Sequence, residues 1–405
     1  YTGAFSDKNV GTGKTVTITP SYTGADVSNY SITNHANVTA NITARSLSVS
    51  GVTASDKTYD GSVTATMNSS SAVYSGFVSG DDFAASYSGV FADANAGTGK
   101  TVTITSSYAG ADVSNYNITD QTSTTADISA KALTATASAS NKVYDGSSAA
   151  TVTLSLSGFI GSETVTSTNS STFDNKNVGT GKTVTVNSIT LANGSNGGLA
   201  ANYSISTGQT TTANITAKSL TVSGITASNK TYDGNAVATL NTGSVAYSGL
   251  VDGDTFDGTY TGAFSDKNVG TGKTVTITPS YSGADVSNYS ITNHANVTAN
   301  ITAKPLTVSG VTASDKTYDG SVTATMNSSS AVYSGFVNGD DFAASYSGVF
   351  ANANVGSGKT VTITSSYAGA DVSNYNVTDQ TSTTANISAK ALTATASASN
   401  KVYDG

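Results

Sequence analysis

The sequence predicts an all-β chain, a tandem array of small antiparallel β-sandwich repeats. Three observations carry that expectation. Thr, Ser, Val, Ala, Gly and Asn dominate while Lys, Leu and Met are scarce and Glu163 is the single glutamate, so poor helix formers and β-branched residues set the local preference. Tyr-Asp-Gly recurs at Tyr59, Tyr144, Tyr232, Tyr318 and Tyr403, in steps of 85, 88, 86 and 85 residues. Within each step, short alternating runs are separated by turn signals every ~8–12 residues, a pattern of sandwiches and not of helices.

Residues 46–131 show the elements in order. Leu47-Ser-Val-Ser-Gly-Val alternates apolar and polar residues, as a half-buried strand does. Tyr59-Asp-Gly is a turn. Strands are expected at 63–67 and 72–78, with a turn at Ser79-Gly-Asp-Asp82, and again at 85–91. Asn95-Ala-Gly-Thr-Gly99 turns the chain into Lys100-Thr-Val-Thr-Ile-Thr105, the clearest alternating strand. Segments 116–118 and 125–128 complete about seven strands. Asp112 stands four residues before Tyr116, a spacing repeated at Asp26/Tyr30, Asp285/Tyr289 and Asp371/Tyr375 and broken by Leu199/Tyr203. That spacing suits a tyrosine corner and an immunoglobulin-like sandwich; β-grasp-like units are the alternative.

The closing segment Ala-x-Ile-Thr/Ser-Ala-Lys/Arg ends at Arg45, Lys131, Lys218, Lys304 and Lys390. Cutting there gives whole repeats at 46–131, 132–218, 219–304 and 305–390, with partial repeats at 1–45 and 391–405. The joins hold no Gly/Ser or Pro-rich linker, so limited bending and a rod are expected, ~150–200 Å long for strands of ~10–12 residues. Residues 1–146 also align without gaps on 260–405, with ten differences. Three unlike repeats therefore form a 259-residue cassette that was copied. Unlike neighbours are expected to misassemble less than identical ones; drift after old duplications is the competing account.

Composition excludes several functions. A net charge of −8 argues against a nucleic-acid groove and offers no basic face to anionic lipid. No cysteine is present, which removes disulfide staples and thiolate metal sites. No apolar run approaches the ~18 residues of a membrane helix.

Candidate chemistry is thin. Gly-Thr/Ser-Gly-Lys-Thr, with lysines at Lys14, Lys100, Lys182, Lys273 and Lys359, invites a phosphate loop, but the required upstream glycine is Lys8, Ala94, Lys176, Lys267 or Ala353 and a strand follows. His35 and His294 occupy one repeat position 259 residues apart, too sparse for a catalytic triad or a histidine metal site. The turns Gly80-Asp-Asp82, Asp252-Gly-Asp254 and Gly339-Asp-Asp341 carry fewer carboxylates than calcium commonly takes. The tyrosine of Tyr-Asp-Gly is expected to point inward with its hydroxyl satisfied. Asn-x-Ser/Thr triplets such as Asn41-Ile-Thr43 and Asn117-Ile-Thr119 follow from Thr-rich strands. No catalytic, cofactor-binding or metal residue is assigned, no cofactor is expected, and no enzyme.

Lys-Thr/Val-Tyr-Asp-Gly, Asn-Val-Gly-Thr-Gly-Lys-Thr-Val, Asn-Tyr and Ile-Thr-Ala-Lys, repeated along essentially the whole chain, resemble the YDG/MBG-type repeat domains of giant secreted bacterial adhesins, including filamentous-haemagglutinin-like proteins of two-partner secretion. The resemblance implies an extracellular, cell-surface protein acting in adhesion or biofilm as a structural stalk or fibre, with no catalytic residues. The partners it implies are neighbouring repeats of the same chain and, in a filament or matrix, other copies of itself; neither nucleic acid nor insertion into a membrane is expected. Repeats that themselves bind glycans or matrix are the alternative, disfavoured because the same residues recur everywhere and tryptophan is absent.

Overall fold

The computed structural model describes residues 1–405. Every regular element is a strand, apart from five three-residue 3-10 turns such as Val113–Asn115. No helix is long and apolar enough to cross a membrane. The chain divides into two compact units, Tyr1–Lys142 with Ser147–Ile215, and Val143–Gly146 with Thr216–Gly405.

In the first unit, residues 46–131 build two main sheets. One has the order Lys57–Thr58, Ser123–Ser129, Gly97–Ala109, Ala84–Phe91, Thr64–Ala65; the other has the order Tyr116–Thr119, Arg45–Ser50, Val73–Ser75. A short ladder, Thr53–Ala54 with Met67–Asn68, joins them at the side. Alternation decides the facing. Val102 and Ile104 are buried while Thr101 and Thr103 are exposed, and Phe91 is buried beside exposed Val90. The fold is thus the all-β array of sandwich repeats that the sequence predicts, with ten strands in this repeat, several of them two residues long.

Two details differ from the expected plan. The ladders are not all antiparallel: Arg45–Ser48 pairs parallel with Tyr116–Thr119, and Lys57–Thr58 pairs parallel with Ile128–Ser129. Both pairings join distant parts of the repeat, so local turn signals could not announce them. The expected single strand at 63–67 is also broken at Thr66, because Thr64–Ala65 serves the five-stranded sheet and Met67–Asn68 the side ladder.

The Gly-Thr-Gly-Lys segment lies inside a strand, not before it. Gly97 faces Ile128 and Lys100 faces Ala126, so the strand carries one extra residue there. Gly99 takes the left-handed conformation (φ 59°) that a glycine bulge needs, and its N–H donates to Asp127 Oδ1 at 2.7 Å. Asn41, Asn214, Asn300 and Asn386 accept the same bond at Gly13, Gly181, Gly272 and Gly358. The Asn41 amide of the Asn41-Ile-Thr43 triplet is therefore engaged in the backbone bulge.

Residues 132–218 diverge in a coherent way. Tyr74, Phe83 and Tyr108 form an aromatic cluster in the preceding repeat; here Leu156, Val165 and Leu191 stand at those places. The long hairpin, Val165–Phe173 with Gly179–Asn193, is capped at its open end by the Gly-rich insertion 193–198, where the Thr164 N–H donates to the Ser195 carbonyl. A Cβ at Gly194 or Gly198 would lie 2.1 or 1.9 Å from the Thr164 carbonyl oxygen, so only glycine fits.

The second unit repeats the plan at 219–304 and 305–390, with five-stranded sheets centred on Gly270–Ser282 and Gly356–Ala368. Residues 391–405 have the sequence of 132–146 but no strand. At Thr134–Ala139 that sequence is a strand because Val152–Ser157 pairs with it.

Candidate functional site

The recurring motifs converge on the faces where one repeat meets the next. Each buries apolar surface first. In the first unit Tyr59, Phe91, Val102, Ala126 and Ile128 share one core cluster with Leu133, Val165 and Tyr203 of the following repeat. In the second unit Tyr232, Phe264, Val275 and Ile301 share one with Leu306 and Tyr375. The equivalent cluster of residues 305–390, around Phe350 and Ile387, has no such extension. Tyr318 accordingly stays 41% exposed where Tyr232 is 1% exposed.

The Tyr-Asp-Gly turn is built to hold its tyrosine there. The Lys57 ammonium donates to Asp60 Oδ1 at 2.7 Å, to the Ser62 carbonyl at 2.7 Å and to the Thr64 carbonyl at 3.2 Å. It lies 5.5 Å from the Phe91 ring centre. Lys316 makes the same three bonds around Asp319. The lysine folds the turn back on the sheet and the tyrosine leaves it toward the next repeat.

There the hydroxyl finds a carboxylate. Tyr59 Oη donates to Glu163 Oε1 at 2.7 Å, and Tyr203 Oη donates to Glu163 Oε2 at 2.7 Å. Tyr232 and Tyr375 likewise converge on Asp340, at 2.8 and 2.5 Å. Within the second unit Tyr144 and Tyr289 converge on Asp254, at 2.8 and 2.5 Å. Each tyrosine pair meets edge to face, with ring centres 5.5–5.6 Å apart. Burial and the Glu163 carboxylate push the Tyr59 phenol up to about 12. Burial acts to raise the Asp340 carboxyl, but bonds from Tyr375, Lys267 and Tyr232 outweigh it and leave it below the ordinary aspartate value.

The Asn of Asn-Tyr forms a clasp. Asn202 Oδ1 accepts the Ala96 N–H at 2.8 Å while its Nδ2 donates to Asn95 Oδ1 at 3.0 Å. Asn374 does the same to Val269 and Asn268, and Asn115 to Val10 and Asn9. Lysines reinforce two of these faces. Lys8 Nζ lies 3.0 Å from Asp81 and 2.9 Å from Asp112; Lys267 Nζ lies 3.0 Å from both Asp340 and Asp371.

These contacts place the residues singled out in the sequence. Tyr59, Tyr144 and Tyr232 point inward, each with its hydroxyl on a carboxylate of the next repeat, whereas Tyr318 and Tyr403 are exposed. Two of the acidic turns supply such an acceptor: Asp254 takes the hydroxyls of Tyr144 and Tyr289 and Asp340 those of Tyr232 and Tyr375, whereas Asp81 takes only that of Tyr116 from its own repeat. Asp112 does not make a tyrosine corner with Tyr116. Tyr116 Oη donates to Asp81 at 2.6 Å and accepts the Val78 N–H at 3.0 Å, while Asp112 accepts the Asp82 N–H. Tyr203 keeps the equivalent bond with Ile160 although Leu199 replaces the aspartate, so the tyrosine's seat does not depend on it. Lys14 and Lys100 pair with Asp7 and Asp93 beside the bulge, and His35 and His294 only bond a neighbouring carbonyl at 2.6 Å. The role of Asn-Tyr was missed; its constant offset from the Asn-Val/Ala dipeptide of the preceding repeat, 105–106 residues at the bonded positions, is the signal that could have found it.

The YDG domain family model matches five times, at residues 1–40, 43–125, 129–213, 216–298 and 302–384. A comparison with curated proteins gives no match. Among solved structures, Drosophila N-cadherin EC1–4 is similar at 9% identity and a TM-score of 0.21, over 84% of this chain and 99% of that one. At that score nothing about cadherin chemistry transfers.

Proposed function

This chain belongs to the YDG-domain family, and on that premise we propose that it is a structural spacer, a stalk or fibre segment of an extracellular bacterial adhesin, and not an enzyme. The observation that carries the reading is the shared core. Tyr59 with Leu133 and Tyr203, and Tyr232 with Leu306 and Tyr375, pack as one cluster across a repeat boundary. Repeats fastened in this way resist independent motion in a way that repeats on flexible linkers do not. The tyrosine, carboxylate and asparagine side chains that recur at these boundaries are engaged in the fastenings. A second support is the copied cassette of 259 residues: adding whole repeats changes reach without changing chemistry.

The test is small-angle scattering on the chain and on a version with one cassette removed. A spacer gives an elongated particle whose maximum dimension falls in proportion to the repeats removed. A compact particle whose maximum dimension barely responds would overturn the reading.

A further inference from the structure

The boundary faces come in two chemical kinds. In one, a lysine of the preceding repeat meets two aspartates: Lys8 with Asp81 and Asp112, Lys267 with Asp340 and Asp371. In the other, all three positions change together and two of the charges are lost. The lysine position is Ala94, the first acid is Glu163 and the second is Leu199. Glu163 there holds only the hydroxyls of Tyr59 and Tyr203. Ala94 sits directly before Asn95, which receives the Asn202 clasp, so its place in the face is that of Lys267 before Asn268. The sequence keeps the rule once more: Lys176 precedes a repeat carrying Asp254 and Asp285.

We propose that these positions form a neighbour code, in which a face bearing lysine takes a repeat bearing the aspartate pair, and a face bearing alanine takes a repeat bearing leucine. The reason is electrostatic. Asp340 and Asp371 share one ammonium, and Asp340 is almost fully buried. An alanine face docked there would leave two neighbouring carboxylates without a cation, a costly burial. The reverse mismatch is milder, because a lysine can still meet the glutamate. Discrimination is therefore one-sided, and the occupant rejected most strongly on an alanine face is a repeat of the 305–390 kind. The code concerns which repeat follows which and is independent of what the array carries.

Two double-mutant cycles in the full chain test it, read by hydrogen exchange at single amides. The Val269 N–H, held by Asn374 Oδ1, reports the lysine face; the Ala96 N–H, held by Asn202 Oδ1, reports the alanine face. Leu199→Asp should accelerate exchange at Ala96 by about tenfold or more, and Ala94→Lys in the same chain should restore it. Lys267→Ala should accelerate exchange at Val269. Asp371→Asn, which keeps an acceptor for the Asp341 N–H, should accelerate it alone yet slow it in the Lys267→Ala chain. Simple addition of the single effects in both cycles would overturn the code, since a purely structural role for each residue gives no such reversal. If one variant fails to fold, the other cycle decides alone.

Discussion

Asn202 reaches back 106 residues along the chain to accept the Ala96 N–H at 2.8 Å. Its own side chain is fully buried. One amide thus satisfies a backbone donor and a side-chain acceptor that belong to the repeat before it. Asn202→Ala should cost about 1–3 kcal/mol, because the Ala96 donor is left without its acceptor. Exchange at the Ala96 amide should rise, while amides in the middle of the Gly97–Ala109 strand change little. Uniform acceleration through the repeat would mean that Asn202 supports the whole fold and not the boundary.

The Tyr-Asp-Gly tyrosines give an internal control. Tyr232 donates to Asp340, whereas Tyr318 is 41% exposed. Tyr232→Phe should lower stability by about 1–2 kcal/mol, and Tyr318→Phe should stay within about 0.5 kcal/mol. Thermal melting of the two variants of the same chain makes the comparison; equal losses would show that the hydroxyl matters inside the repeat and not across the boundary.

The same groups set the pH response. The Tyr59 phenol is raised to about 12 in the folded chain, against ~10 when unfolded. Its contribution is therefore complete below pH ~10 and is lost as pH rises toward 12. The Asp340 carboxyl is held below its ordinary value, so its contribution is present above pH ~4 and is lost as pH falls through the folded value. Tyrosinate absorbance followed against pH should show a fraction of the tyrosines, Tyr59 among them, ionising well above pH 10. Ionisation of all tyrosines together near pH 10 would contradict this.

Chelation should leave the melting temperature unchanged. The acidic turns are occupied by the protein itself, Asp81 by Tyr116 and Lys8, and Asp340 by Tyr232, Tyr375 and Lys267. A fall of tens of degrees in EDTA would show that an ion shares those carboxylates.

Much of this was legible in the sequence, and the limit is physical. Alternation at Lys100-Thr-Val-Thr-Ile marked a strand because water and core select alternate side chains along it. The inward tyrosine of Tyr-Asp-Gly followed from its size and its regular spacing. The partners of that tyrosine were not legible, because Glu163 lies 104 residues from Tyr59 and no local pattern ties them. Asp112 was read with Tyr116 because they are close in sequence; in the folded repeat its carboxylate serves the Asp82 backbone instead. Parallel pairing of Arg45–Ser48 with Tyr116–Thr119 escaped for the same reason.

That parallel pairing has a mechanical consequence. The chain enters the 46–131 repeat through Arg45–Ser50 and Lys57–Thr58 and leaves it through Ser123–Ser129, and Lys57–Thr58 runs alongside Ile128–Ser129 in the same direction. Tension applied between entry and exit then slides these strands past one another. Their hydrogen bonds, and those of Arg45–Ser48 with Tyr116–Thr119, are loaded together and must rupture as a group. An antiparallel pair at the same place would peel open one bond at a time. A repeat wired in this way resists extension between its ends more strongly than one closed by an antiparallel pair at the same place.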